Sequence, residues 1–325
     1  MSILKSSRML IDTDTASDDA VALIMALRSS NAEVIAITTV AGNCGIEQAT
    51  RNALYTTELC GASTKVYQGA SKPLARSLTT ADWFHGKDGL GDHGYPPPLR
   101  SPEKLHAVEA IIAIVRSNPG LVLVTLGPLT NIALALAEAP DLAGKVARCV
   151  IMGGAPCCEG NVTPAAEYNM WVDPEAARMV FRSGLPIELV GWQLCRGEAV
   201  IAPADIQLIS KIGTELATFA VECNSAARKA YHTQTGEDGI SLPDPVAMSI
   251  ALDPSIGYEW SRHYVDIETA TELTRGMTVV DRLGVAGNER NRAAWAGLLE
   301  QPPNAKVYWA IDAARWKQAL YAALR

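Results

Sequence analysis

An α/β fold, with an open, mainly parallel mixed sheet flanked by helices, is what this sequence predicts, and two observations carry the prediction. Short β-branched or apolar runs alternate with helix-like segments through the first two thirds of the chain, the pattern of parallel β-α-β units. The runs are rich enough in apolar and β-branched residues to read as buried strands. With 325 residues, 48% of them hydrophobic and 19% charged, the chain can build one large core, read here as a single domain over residues 1–325.

Met9-Leu10-Ile11 is the first expected strand, followed by Ala20 to Leu27, where apolar residues at 20, 23, 24 and 27 mark one helix face. Val34 to Val40 is the second strand. Gly69 to Pro98 is long, rich in Gly and Pro, and carries Trp83, Phe84, His85 and His93, which reads as a functional surface loop. Ser101-Pro102-Glu103 predicts the start of a helix through Val115, because it offers an N-cap, a proline in the first turn and an acid near the positive end of the dipole. Further strands follow at Leu121 to Leu126, Val146 to Met152 and Ile187 to Val190. Between the last two, Asp173-Pro174-Glu175 opens a helix that closes near Ser183-Gly184. Helices dominate from Pro203 to Tyr231, then a turn-rich stretch runs from His232 to Pro245. Strands return at Thr278 to Asp281 and Val307 to Ile311, before a last helix over Ala313 to Leu324.

The net charge of -7 gives no broad attraction to nucleic acid or anionic lipid, and no Lys/Arg-rich run gives a local one. A small neutral ligand is the expected partner. Met1 to Arg8 is too short and polar for a signal peptide and no apolar stretch reaches membrane-spanning length, so a cytoplasmic location without membrane contact is expected. The seven cysteines are odd in number and lack a C-x-x-C pair, which fits reduced thiols better than a disulfide framework.

Chemistry concentrates where the first strand turns into the first helix. Asp12-Thr13-Asp14-Thr15-Ala16-Ser17-Asp18-Asp19 places four carboxylates within eight residues. Like charges this close repel, and capping accounts for only one or two of them, so the cluster points to a metal with oxygen ligands, calcium or magnesium. An EF-hand is disfavoured because Ser17 and Leu23 fall where its glycine and glutamate belong. A phosphatase D-x-D-x-T match is imperfect, since Ala16 stands in the threonine position. In an open parallel sheet, ligands bind outside the carboxyl ends of the strands. Read there, the chain supplies Asp12 and Asp14, then Asn43, then Leu126-Gly127-Pro128, then Met152-Gly153-Gly154. Asn161, Glu167 and Asn169 are further loop candidates that are equally readable as turn formers, and Asp244 is equally readable as a helix cap. Trp83 is either core or a stacking platform.

Taken together, these motifs resemble the nucleoside hydrolases, the inosine-uridine-preferring N-ribohydrolases. The matching stretches are Ile11 to Asp14 with Asp18-Asp19, Thr38 to Asn43, His85-Gly86 with Gly89-Leu90-Gly91, Leu126 to Asn131, Met152 to Gly154, Gly160 to Asn169 with Trp171 to Ala177, and Asp244-Pro245. The resemblance implies a Rossmann-like core and Ca²⁺-dependent cleavage of ribonucleosides into base and ribose by a homodimer or homotetramer. It implies that Asp14, Asp19, Asp244 and the Leu126 carbonyl ligate Ca²⁺, with Asp18 beside them. It further implies that Asn43, Asn161, Glu167 and Asn169 hold the ribose with Met152 packed on it, and that Asp14 or Asp18 takes the proton of an attacking water. Many members have His-Asp-Pro where this chain has Pro243-Asp244-Pro245, and proline cannot protonate a leaving base. His85, Tyr231, His232 and stacking on Trp83 are the candidates to activate it instead. A Mg²⁺-dependent phosphohydrolase built on Asp12 and Asp14, and a nucleoside or ribose binder without turnover, are the alternatives.

Overall fold

The computed structural model describes residues 7–294 and 301–325; residues 1–6, part of the polar N-terminal stretch discussed above, lie outside them. In chain order the strands are β1 (Ser7–Thr13), β2 (Ala32–Thr39), β3 (Lys65–Gln68), β4 (Leu121–Thr125), β5 (Val146–Met152), β6 (Ile187–Val190), β7 (Glu259–His263), β8 (Val265–Ile267), β9 (Thr278–Val280) and β10 (Ala305–Ala310). The helices are α1 (Ser17–Leu27), α2 (Ile46–Leu59), α3 (Asp82–His85), α4 (Ala107–Ser117), α5 (Thr130–Glu138), α6 (Tyr168–Val172), α7 (Pro174–Phe181), α8 (Pro203–Ser210), α9 (Glu215–Glu222), α10 (Ser225–Thr235), α11 (Pro243–Leu252) and α12 (Ala313–Ala323).

Eight strands form one sheet in the order β3-β2-β1-β4-β5-β6-β10-β7. All neighbours are parallel except β10 and β7. The chain leaves β1 toward β2 and β3, then crosses back to lay β4 on the other side of β1, so the strand order reverses between β1 and β4. Crevices at such a reversal are where open sheets bind ligands.

The period of two along the strands divides the core. Met9, Ile11, Val122, Val124, Val150 and Val190 face one layer, with α1, α11 and α12. Leu10, Leu121, Leu123, Cys149, Ile151 and Leu189 face the other, with α4, α5 and α7. Met9, Leu10 and Ile11 are fully covered, and each such side chain contributes about 2 kcal/mol of burial. Helix α1 is buried from Ser17 to Ala26, which explains why its sequence is apolar on nearly every side after the two aspartates.

Two expectations need correction. The helix expected from Ser101 begins at Ala107, because the Glu103 amide donates to the Val66 carbonyl (2.8 Å) and its residue bridges Tyr67 at the sheet edge. His106 caps it instead, its side chain accepting from the Val108 amide at 3.3 Å. The strand expected at Thr278 to Asp281 is present as β9, which pairs antiparallel with β8 outside the main sheet. His232 lies inside α10, not in a turn.

Candidate active site

The turn from β1 into α1 forms the floor of a pocket at the β1/β4 reversal. Asp14 has no solvent exposure. Its Oδ2 accepts from the Asn43 amide at 2.5 Å, while Oδ1 has no hydrogen-bond partner among the described residues. Two glycines flank it: a Cβ at Gly42 would collide with the carboxylate, and one at Gly127 would stand 2.7 Å from Oδ1. Asp18 and Asp19 follow in the first turn of α1, where the helix dipole favours negative charge. Asp19 accepts from Thr13 Oγ1 at 2.5 Å and from the Ala16 amide at 2.9 Å, so it ties its own helix start to β1. Asp18 Oδ1, like Asp14 Oδ1, has no partner among the described residues.

Asp244 arrives from far along the chain. Pro243 occupies the first position of α11, where its missing amide hydrogen costs nothing, and Asp244 follows in the same turn, 3% exposed. Helix α11 packs against α1, which brings the two helix N-termini together. One oxygen each from Asp18, Asp19 and Asp244 lies within 4.8 Å of the others. Burial pushes the Asp14 and Asp244 carboxyls well above the usual range, and the Asp19 charge pushes both further. Burial raises Asp18 and Asp19 to about 6. Left to itself, this floor resists its own negative charge. An all-oxygen donor set with orphaned carboxylate oxygens fits a hard divalent cation. Leu126, just past β4, is held by its amide to the Asp12 carbonyl at 2.8 Å, and its own carbonyl accepts from Asn169 Nδ2 at 2.8 Å.

Asp12 belongs to the scaffold. Its Oδ1 accepts from Thr38 Oγ1 at 2.5 Å and Asn131 Nδ2 at 2.9 Å, which anchors β1 to β2 and α5. It does not line the pocket, and among the described residues neither does any Lys or Arg. That argues against the phosphohydrolase alternative, which needs Asp12 in the site and a clamp for phosphate.

The pocket is concave and partly open to solvent, with carboxylate, amide and aromatic side chains converging on it, the form of a small-ligand site. Of the residues singled out from sequence, it brings together Asp18, Asn43, Trp83, His85, Leu126, Met152, Asn161, Glu167, Asn169 and Asp244, with Asp14 and Asp19 covered beneath them. Glu167 caps α6. Its Oε1 accepts from the Asn169 amide at 2.8 Å, and its Oε2 from Gly154 at 2.7 Å and Met170 at 3.3 Å. Burial nevertheless raises its carboxyl to about 7. Asn161 Oδ1 accepts from the Tyr168 amide at 2.9 Å, which folds the Gly160 to Asn169 loop back over the pocket.

His85 ends the short helix α3, whose exit needs Gly86 at φ +86°. Its Nδ1 is 2.9 Å from Ser17 Oγ and 3.8 Å from Asp18 Oδ1. Burial lowers its pKa to about 4 despite the opposing Asp19 charge, so the ring is neutral at pH 7. His232 is not in the pocket. It is exposed on α10, with Nδ1 3.1 Å from the Glu237 carbonyl oxygen, in a shallow depression with Ser225, Arg228, Lys229 and Asp238. Tyr231 also points elsewhere, donating to Glu237 Oε2 at 2.8 Å.

Phe84, noted from sequence only as part of the surface loop, also lines the pocket, and sequence reasoning did not select Tyr168, Trp192 or Gln234 on its wall. Trp192 had a usable signal, since it lies two residues beyond β6, at the carboxyl end where ligands collect. Gln234 had none.

Comparison with known proteins agrees with this geometry. The family model described as inosine-uridine preferring nucleoside hydrolase matches residues 9–318. The pyrimidine-specific ribonucleoside hydrolase RihA of Klebsiella pneumoniae subsp. pneumoniae is 41% identical over 305 residues, covering 90% of this chain and 97% of that protein. Among solved structures, the plant nucleoside hydrolase PpNRh1 superposes with a TM-score of 0.89 at 31% identity, covering 98% of this chain and 99% of that one. The purine-preferring ribonucleoside hydrolase of Gardnerella vaginalis gives 0.87 at 30% identity, covering 98% of each chain.

Proposed function

The chain belongs to the inosine-uridine preferring nucleoside hydrolase family, and on that premise we propose that it hydrolyses the N-glycosidic bond of ribonucleosides with Ca²⁺ as cofactor, giving free base and ribose. The observation that carries the reading is the pocket floor, where oxygens of Asp18, Asp19 and Asp244 lie within 4.8 Å of one another beside the orphaned Asp14 Oδ1. Asp14, Asp19, Asp244 and the Leu126 carbonyl would hold the ion, with Asp18 beside them. When bound, the cation supplies Lewis-acid activation of a water and a fixed point for ribose hydroxyls.

The chain's own groups do the rest. Asn43, Asn161, Glu167 and Asn169 hold the sugar through hydrogen bonds, and Met152 packs on it. Asn169 also holds the Leu126 carbonyl in place. Departure of the base leaves positive charge on the ring, and the surrounding carboxylates stabilise it as it develops. The attacking water gives its proton to Asp14 or Asp18, whose free Oδ1 atoms can accept it. Attack opposite the departing base inverts the anomeric carbon.

The relatives named above prefer different bases, pyrimidines for one and purines for another, so the ribose half of the substrate is the part this reading carries over. No helix among the described residues is long and apolar enough to cross a membrane. We read the protein as a cytoplasmic homodimer or homotetramer, which light scattering of the purified protein checks directly.

The test is a panel of ribonucleosides assayed for free ribose before and after chelation, then with calcium or magnesium restored. Activity should vanish with the chelator and return with calcium more than with magnesium. Full activity in chelator overturns the metal role, and tight ribose-analogue binding without turnover on any member identifies a binder.

A further inference from the structure

Asn161, Glu167 and Asn169 lie in one stretch between β5 and α7, and the β8–β9 hairpin grips that stretch from behind. Among the described residues, no part of the hairpin lines the pocket. At one end of the grip, Thr278 Oγ1 accepts from the Ala155 amide at 3.2 Å, next to the Gly154 amide that donates to Glu167 Oε2 at 2.7 Å. At the other end, Arg275 donates from Nε to the Trp171 carbonyl at 2.8 Å and from Nη2 to the Val172 carbonyl at 3.2 Å. Its guanidinium also lies 4.2 Å over the Trp171 ring. Between the two ends Gly276 passes so close that a Cβ there would stand 2.6 Å from Trp171 Cα.

Those two carbonyls end α6, a helix of five residues. A helix this short is unstable by itself and cannot bond its last carbonyls internally. Glu167 caps its start and Arg275 closes its end, while Asn169 stands between them with Nδ2 on the Leu126 carbonyl at 2.8 Å. The hairpin itself is anchored away from the pocket. Thr269 accepts from Arg76 at its carbonyl (3.1 Å) and from Arg178 at its hydroxyl (2.8 Å), and Asp266 accepts from Arg178 at 3.2 Å and Arg182 at 2.6 Å. A position fixed on α7 is thus handed to α6.

We propose that Arg275 and Thr278 are positioning residues for the sugar half of the substrate, Arg275 acting through Asn169 and Thr278 through Glu167. The inference rests on the ribonucleoside reading of the pocket and adds to it an element that the substrate does not touch. Arg275 fixes where α6 ends, and so where Asn169 stands over the pocket. Thr278 fixes the Ala155 amide, and so the neighbouring Gly154 amide that orients the Glu167 carboxyl.

The experiment uses the full chain with calcium and reads ribose binding by calorimetry and kcat/KM on nitrophenyl riboside, both per folded molecule. Arg275→Met keeps the apolar stem and loses the guanidinium; it should weaken ribose binding about tenfold and lower kcat/KM about 30-fold, the scale of a displacement below 1 Å. Arg275→Lys, which returns a cation over Trp171 and one donor, should stay within about fivefold of the parent, and Thr278→Val should lose about fivefold on both readings. In an Asn169→Ala background, Arg275→Met should cost less than about threefold more, because the two residues act as one unit. A role in folding alone would lower the urea midpoint and leave ribose affinity per folded molecule within about twofold of the parent. That result overturns the proposal, and so does full additivity with Asn169→Ala. If Arg275→Met does not fold, Arg275→Lys and Thr278→Val decide on the same readings. A parent that binds ribose but cleaves no riboside sinks the hydrolase reading while the binding arm still decides the proposal, and a parent that binds no ribose sinks both.

Discussion

The buried carboxylates of the pocket floor and the part-buried Glu188 on the β5-β6-β10 flank are all pushed up by burial, yet they end on opposite sides of the usual carboxylate range. At the flank, burial pushes the Glu188 carboxyl up, but its bonds with Arg148 (3.0 and 2.8 Å) and the nearby Lys306 more than offset that and leave it below the usual range. Tyr308 adds its hydroxyl at 3.1 Å, and Arg148 also donates to the Ile250 and Ala251 carbonyls at the end of α11. At the floor, burial pushes Asp14 and Asp244 up, and the neighbouring carboxylates push the same way. Among the described residues, the flank carboxylate is paired with an arginine and the floor carboxylates with no Lys or Arg. A site that withholds its counter-charge is built to receive it from outside.

Breaking the floor should have the largest effect. Asp244→Ala is expected to lower ribose release by about 10³-fold or more, since a group acting on developing charge is lost, and to abolish the rise in Tm on adding calcium. Initial rates and thermal melts with and without the ion check both, and an unchanged calcium response would separate Asp244 from the ion. Gly127→Ala tests position rather than charge. The new methyl presses on Asp14 Oδ1 and should lower kcat by about 10²-fold, the scale expected of a displacement near 1 Å, with a far-ultraviolet spectrum like the parent's.

The flank should answer in stability instead. Arg148→Met strands a largely buried Glu188 and should cost about 2 kcal/mol in urea unfolding, a figure discounted from the fully buried case because the pair retains some exposure. Adding Glu188→Leu to that variant should recover most of the loss, with turnover per folded molecule within about twofold of the parent. The pH dependence follows the same logic. Glu188 is held below the usual range when folded, so its contribution is present above its unfolded pKa of about 4.3 and is lost as pH falls through the folded value. Unfolding midpoints measured from pH 6 down to pH 3 should therefore fall less steeply in Glu188→Gln than in the parent. The smallest effect is expected of His232→Ala, less than about twofold on any nucleoside, because the ring faces solvent outside the pocket; a selective loss on poor leaving groups would return His232 to the reaction.

What could be read from the sequence was what is local in the chain. Asp12 to Asp19 declared a strand, a turn and a helix start by themselves, and the apolar runs declared the central strands, because both depend on neighbours within a few residues. Asp244 lies more than two hundred residues on, and only family resemblance tied it to Asp14 before α11 was seen against α1. Edge strand β7 was missed because Glu259–His263 is exposed or half-covered at every position and carries no apolar run. The helix start at Ser101 failed for the same reason in reverse: a good local capping signal was overruled by an edge pairing with Tyr67 that the local sequence cannot encode. Wall residues such as Gln234 depend on how α10 docks, and their spacing holds no trace of it.

Helix α1 is buried along nearly its whole length, and two of the floor carboxylates are part of its first turn. Its amides should be among the last in the molecule to exchange with deuterated solvent, since such a helix opens only with the whole fold. An ion held at that first turn can then come and go only through the mouth of the pocket. Its off-rate should track wall segments such as α3, which carries Trp83, and chelation should empty the site reversibly, without an intervening cycle of unfolding.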